Sequence, residues 1–414
     1  MGKFRNVAIL VFLLPAALFA ESFELKLRKI KVGEKNAFLL PSERLDLHQG
    51  EGIRNEPRYR STRAVRFFNA FGDGKGLPIA FAVDEKSGTG KGFDLLWVDA
   101  KGCGDLRRGI KLAGRKCGGS SSVWFPPFKV KVTSAGEDRL LPFQARLTAW
   151  GDDRRNYWFC LYPLCIMEGG ILIGGVKQKI IVFDANSNGV YGDKGSYLSL
   201  TAGNRRSRIS HRVSGDRIWI GRGSPKVEEA WLEATPLGKY CLFQGDYYVL
   251  DFKNNHSVAI SRADVPMGKI HVNTPGFVLE LAQEDSILYV SNPDGREANV
   301  PVGSYRVVSA CFRHRTGGKL WELQGQSDPS GKTVTVKEEA LTQLGLGPPL
   351  KLVASSRTSD RSSKYEVIIS FHIEGDGGEK YEAVKKNGEK IDLPEIYIRG
   401  PRGGVVEKGT FGYS

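Results

Sequence analysis

The sequence predicts an all-β protein made of several β-sandwich-like modules, with little helix once an N-terminal leader is removed. Three observations predict it. Short runs rich in β-branched and aromatic residues recur along the chain, fifty glycines punctuate them, and no stretch sustains a helical period of apolar residues. Runs of strands without intervening helices mean packed sheets.

The leader comes first. "MGKFRN" carries Lys3 and Arg5, and "VAILVFLLPAALFA" follows as an apolar run. At about 14 residues it is shorter than the roughly 20 that cross a bilayer, so residues 1–20 read as a secretory signal peptide cleaved after Ala20. The chain is therefore expected to be exported, to the periplasm, the cell surface or the medium, with no membrane span in the mature protein. Lys plus Arg outnumber Asp plus Glu 60 to 46, a net charge of +14, and the leader holds two of those cations and no acid, which leaves +12. Such an excess draws a protein toward polyanions. An acidic glycan or another envelope component is the expected partner. Sequence-specific nucleic-acid binding has no motif behind it.

Residues 21–240 form the first predicted region. "LPIAFAVD", "GFDLLWVDA", "FKVKVTS", "QARLTAW", "KIIVFDA" and "RIWIG" all read as strands. Two hairpins within it match. "LPIAFAVDEKSGTGKGFDLLWVDAKGCGDL" ends in a loop opened by Asp99, and "GGILIGGVKQKIIVFDANSNGVYGD" ends in one opened by Asp184. The region is read as two related halves, each a hairpin followed by an Asp-initiated loop.

Residues 241–327 carry "GKIHVNTPGFVLELAQEDSILYVSNPDGREANVPVGSYRVVSACF" and read as a β-sandwich. Its "VPVGSYRV" resembles the end strand of carboxypeptidase-regulatory or transthyretin-like sandwiches, in which a Pro-x-Gly turn precedes a Tyr-bearing strand. Residues 328–414 read as an immunoglobulin-like sandwich without a Cys-Trp-Cys framework. The whole resembles the multi-module exported bacterial β proteins of unknown function, a resemblance that carries no activity with it.

Cys103, Cys117, Cys160, Cys165, Cys241 and Cys311 all follow the leader. An even count on an exported chain points to disulfides, and neighbours in sequence suggest Cys103–Cys117, Cys160–Cys165 and Cys241–Cys311 among fifteen possible pairings.

The loop "DANSNGVYGD" carries the most specific chemistry. Calcium takes six to eight hard oxygens, and a loop supplies them from alternate positions with a glycine at the sixth. Asp184, Asn186 and Asn188 stand at positions one, three and five, Gly189 at the sixth, and Val190 offers its carbonyl at the seventh. This resembles the front half of EF-hand and dockerin calcium loops. The back half departs, because Gly195 stands at position twelve and the nearest carboxylate is Asp193. Any calcium bound here is expected to be structural and weak, with a dissociation constant of roughly 10⁻⁴–10⁻³ M. A turn in which Asn and Asp bond their own backbone explains the same residues without metal. At Asp99 the ligand positions hold Lys101 and Cys103, which argues against an ion.

Arg205, Arg206, Arg208 and Arg212, with Trp219 nearby, form a basic run suited to carboxylate, sulfate or phosphate groups. The competing reading is a solvated hairpin with Trp219 in the core. "SGTGKG" lacks the first glycine and the Ser or Thr of a P-loop and reads as a turn. The six histidines are dispersed without a zinc pair, and no G-x-S-x-G elbow occurs. Glu374, Asp376 and Glu379 crowd a glycine-rich connection and read as solvated. No catalytic residue emerges. The expected function is non-catalytic, structural or ligand-binding at the cell envelope. The alternatives are a carbohydrate-active hydrolase or an acidic-polysaccharide-binding module.

Overall fold

The structure is a computed structural model that describes residues 21–32, 43–45, 47–48, 52–61, 64–74, 78–88, 93–116, 122–150, 156–200, 210–253, 256–284, 286–325, 333–361, 364–391, 395–399 and 404–410. The expected signal peptide lies outside them. The protein is all-β, with 62% of the described residues in strands and 3% in helix, spread over several separate sheets. Among the described residues no helix is long and apolar enough to cross a membrane. The only α-helix among them, Val227–Glu233, is seven residues long, too short to leave a readable period.

The first unit is a sandwich. Its five-stranded sheet includes the hairpin Ile79–Asp84 and Leu95–Val98. The facing six-stranded sheet is built on Glu137–Trp150, which pairs with Phe128–Ser134 and Asn156–Pro163. "FKVKVTS" alternates buried and exposed along its whole length, the period-two signature of a half-buried strand. Phe67, Phe81, Phe128, Phe143 and Phe159 fill the space between the sheets, with the Phe67 and Phe159 rings stacked at 4.6 Å.

An eight-stranded antiparallel sheet forms the second unit. Glu21–Lys29 lies in its middle, between Cys165–Ile173 and Ser257–Arg262. Val176–Phe183 and Arg217–Gly221 continue it on one side. One face buries Leu25, Met167, Ile180, Val182 and Ile260. The other buries Ile166, Ile181, Phe183 and Trp219 beneath the helix, which Glu229 fastens by accepting a hydrogen bond from the Lys226 backbone N–H at 3.1 Å.

The third unit faces a nine-stranded sheet with a three-stranded one. Leu341–Leu344 runs parallel to Met267–Val272, and Thr333–Val336 pairs with Gly303–Thr316. Strands on both sides of residue 328 thus share one core, in which Ile270, Phe277, Phe312, Val336, Leu344 and Tyr381 meet. Tyr305 of "VPVGSYRV" is buried and its hydroxyl donates to the Pro301 carbonyl at 2.8 Å.

The cysteines correct an expectation. No disulfide forms among the described residues: Cys103, Cys160, Cys165, Cys241 and Cys311 are free. Cys117 lies outside them. The bridge Cys160–Cys165 fails because the chain turns between two packings, Cys160 facing Trp124 and Tyr162 while Cys165 enters the core of the eight-stranded sheet. Cys241 shares that core, whereas Cys311 lies on the nine-stranded sheet opposite Gln324. Burial pushes the thiol of Cys165 up to about 11 and that of Cys241 up to about 12, so both stay protonated and inert.

Candidate functional site

Both Asp-initiated loops form the same turn. Asp99 follows the strand Leu95–Val98 and Asp184 follows Val176–Phe183. Each carboxylate is buried and each accepts the backbone N–H of a glycine five residues on, Gly104 at 2.6 Å and Gly189 at 2.8 Å. Both glycines take left-handed backbone, φ +75° and +78°, at points too tight for a side chain. A Cβ at Gly104 would lie 2.8 Å from the Gly52 carbonyl, and one at Gly189 would lie 2.7 Å from a Val132 methyl.

Beyond that turn they diverge. Asp184 also accepts the Asn188 N–H at 3.0 Å. Asn186 and Asn188 each accept a backbone N–H two residues on and donate their amide N–H groups to Asp193. A residue distant in sequence then joins them. Asp216 opens the strand Arg217–Gly221, whose register against Val176–Phe183 pairs Arg217 with Phe183 and so brings Asp216 beside the loop. Its Oδ2 accepts the N–H groups of Gly192 at 2.7 Å and Asp193 at 3.1 Å, while its Oδ1 is buried with no hydrogen-bond partner among the described residues.

Two buried carboxylates, Asp184 and Asp216, therefore lie near a third, half-buried one, Asp193. Asp184 is 0% exposed and Asp216 is 1% exposed. Burial is the main force pushing the Asp184 carboxyl up to about 8, and Asp193 adds to it, against the N–H groups of Gly189, Asn188 and Ser187. Burial likewise raises Asp216 well above the usual carboxylate range, with the charges of Asp184 and Asp193 adding. Such a cluster needs neutralising, by protons or by a cation.

The loop is also a joint. Asn69 donates to the Ser187 carbonyl at 2.8 Å, Gly72 N–H to the Asn188 carbonyl at 2.9 Å, and the Ser187 hydroxyl to the Leu161 carbonyl at 2.9 Å, all in the first sandwich. Tyr191 donates to the Cys165 carbonyl at 3.0 Å in the eight-stranded sheet. Gly195 accepts from Ile287 N–H at 3.1 Å, on a strand of the third unit. Residues 184–195 thus hydrogen-bond to all three units.

The donors suit a hard cation, since every candidate atom is oxygen and Asp216 Oδ1 has no hydrogen-bond partner among the described residues. Among the described residues no three His, Cys, Asp or Glu side chains converge as a metal centre by themselves. An ion here must be held largely by the amide and backbone oxygens of Asn186, Asn188 and Val190.

Of the basic run, Arg205, Arg206 and Arg208 lie outside the described residues. Arg212 stands on the strand Ser210–Ser214, opposite Leu198. Trp219 is buried beneath the helix, its indole N–H donating to Glu233 at 2.9 Å, and presents no open ring face. Glu379 is engaged in its own turn, accepting from Gly347 and Gly377 N–H groups and the Tyr381 hydroxyl. Sequence reasoning missed Asp216, which carries no local motif and reaches the loop only through strand register.

Fold and site together define a multi-unit all-β protein joined at an Asp/Asn-rich loop. Compared with known proteins, the chain matches no family model, and no curated protein or solved structure matches it.

Proposed function

We propose that the chain is an exported, non-catalytic β-modular protein that serves at the cell envelope as a structural or ligand-binding component. Its 184–195 loop takes up calcium weakly and so fastens three β units. The observation that carries the reading is the buried Oδ1 of Asp216, unpartnered among the described residues, at a loop bonded to all three units. Asn186, Asn188 and Val190 would supply most of the oxygens, with no more than two of Asp184, Asp193 and Asp216 reaching the ion, which would supply positive charge where two carboxylates are buried. Calcium then favours the joined arrangement by mass action. The excess of basic residues suits a polyanionic setting.

Calorimetric titration of the mature chain with calcium at neutral pH tests the metal half. One site with a dissociation constant of about 10⁻⁴–10⁻³ M is expected, lost in Asp216→Asn. Absence of binding at 10 mM, an upper concentration set about tenfold above that range, removes calcium from the account. N-terminal sequencing of protein from fractionated cells tests export. The expected mature terminus is Glu21 in an envelope or secreted fraction, and an intact Met1 in the cytoplasm would contradict it.

A further inference from the structure

Among the described residues, one face of the eight-stranded sheet is only half covered. The helix Val227–Glu233 shields Ile166, Ile181, Phe183 and Trp219. Register carries the same face onward: Glu168 pairs with Ile181 and Lys26, Gly170 with Lys179, and Leu172 with Lys177. Because paired residues point to the same side, the polar side chains at 26, 168, 177 and 179 share the face that the helix leaves open. There a groove of about 740 Å³ crosses the strands, walled on one side by Arg222–Ser224.

Its floor is Gly169–Gly170. A Cβ at Gly169 would lie 2.6 Å from the Glu24 carbonyl, and one at Gly170 would meet the Lys177 stem at 3.3 Å. Gly170 shares the face of Lys179, so its missing side chain leaves the groove open there, whereas Gly169 pairs with Leu25 and Ile180 and faces the opposite side. Its charges are unequal. Glu168 is engaged by Lys179 and Arg28, each at 3.0 Å. Lys26, Lys177 and Arg222 have no ion-pair partner among the described residues, against Glu24 as the one uncommitted acid of the lining.

We propose that this groove binds a short segment of acidic polysaccharide, its carboxylate or sulfate groups paired with Lys26, Lys177 and Arg222. The inference rests on the envelope reading above and gives that reading a site. Three cations along an open trough suit a ligand whose anionic groups repeat along a chain. Glu24, Ser224 and the glycine backbone offer hydrogen bonds to hydroxyls. Among the described residues no aromatic side chain lines the groove to offer bases a stacking platform. Its size falls within the roughly 300–1,000 Å³ of ordinary ligand sites, which fits a short segment.

The test is fluorescence polarisation of the full mature chain with a labelled heparin-derived hexasaccharide and a labelled hexagalacturonate. At least one is expected to bind, with affinity falling as salt rises. Lys177→Ala with Arg222→Ala is expected to weaken it at least tenfold. Gly170→Leu, which fills the trough without changing charge, is expected to do the same. Where that variant does not fold, the charge reversals Lys177→Glu and Arg222→Glu at exposed positions decide the matter.

Three results would overturn the proposal. The first is no binding of either sugar. The second is binding indifferent to the groove variants but lost in Arg205→Ala, Arg206→Ala and Arg208→Ala together. The third is tighter binding of a single-stranded oligonucleotide or of anionic lipid vesicles. The two readings fail separately. Protein stabilised by calcium but blind to both sugars loses the groove and keeps the joint, and protein retained in the cytoplasm loses the envelope reading whatever the groove binds.

Discussion

The loops at Asp99 and Asp184 begin alike and end differently. Each seals a strand end with a buried carboxylate accepting a glycine N–H five residues on. At Asp99 the second oxygen takes the thiol of Cys103 at 3.4 Å, and the next acid, Asp105, turns away to accept from Arg108 N–H and Asn55. At Asp184 the next acid, Asp193, is held by two asparagine amides, and Asp216 arrives from another strand. The backbone turn therefore needs only Asp and Gly. The residues between them decide whether negative charge is dispersed or concentrated.

The largest expected effect removes the carboxylate. Asp184→Ala strands two buried N–H groups and should cost roughly 2–5 kcal/mol, against about 1–3 kcal/mol for Asp99→Ala, both read from denaturant unfolding. Equal losses would mean that the joint adds nothing to the turn. Gly189→Ala comes next, forcing left-handed backbone and a clash with Val132 for about 2–4 kcal/mol. Gly104→Ala meets the Gly52 carbonyl instead and should cost a similar amount. A harmless Gly104→Ala would break the claim that the two turns share a backbone.

Smaller effects sharpen the contrast. The Asp184 carboxyl is raised to about 8 in the folded state, above its unfolded value of about 3.9. Folding therefore binds its proton more tightly. That contribution is full below the unfolded value and declines as pH rises through about 8. In EDTA the protein should lose stability across that window, and Asp184→Asn should flatten the profile. A wild-type profile parallel to the variant's would contradict this. Smallest of all, Cys103 is exposed and should be alkylated in the native state with little change in melting. Cys160, Cys165 and Cys241, free and buried, should react without reductant only after unfolding.

Much of this was legible in the sequence, for identifiable reasons. "FKVKVTS" became the strand Phe128–Ser134 because a half-buried strand writes its period directly into the chain, and "RIWIG" became Arg217–Gly221, buried on both faces through Ile218 and Trp219, through its β-branched and aromatic content. The Asp184 turn was legible because its Asx bonds span only two to five residues. Asp216 was not, since register alone delivers it. Nor was the joint, whose bond from Asn69 to Ser187 crosses 118 positions. The expectation of export suggested disulfides, but pairing depends on which core each cysteine enters. Trp219 looked available beside arginines, and only the helix above it shows its burial.

The most direct test of the account is thermal unfolding of residues 21–414 in excess EDTA and again in about 10 mM calcium. With a dissociation constant near 0.1 mM, saturation adds roughly 2.7 kcal/mol. For a unit of 150–250 residues this raises the melting temperature by about 5–10 °C. The rise should vanish in Asp216→Asn and persist in Asp99→Asn. An unchanged melting temperature in the wild type, or a rise that survives Asp216→Asn, would contradict a calcium-fastened joint at residues 184–195.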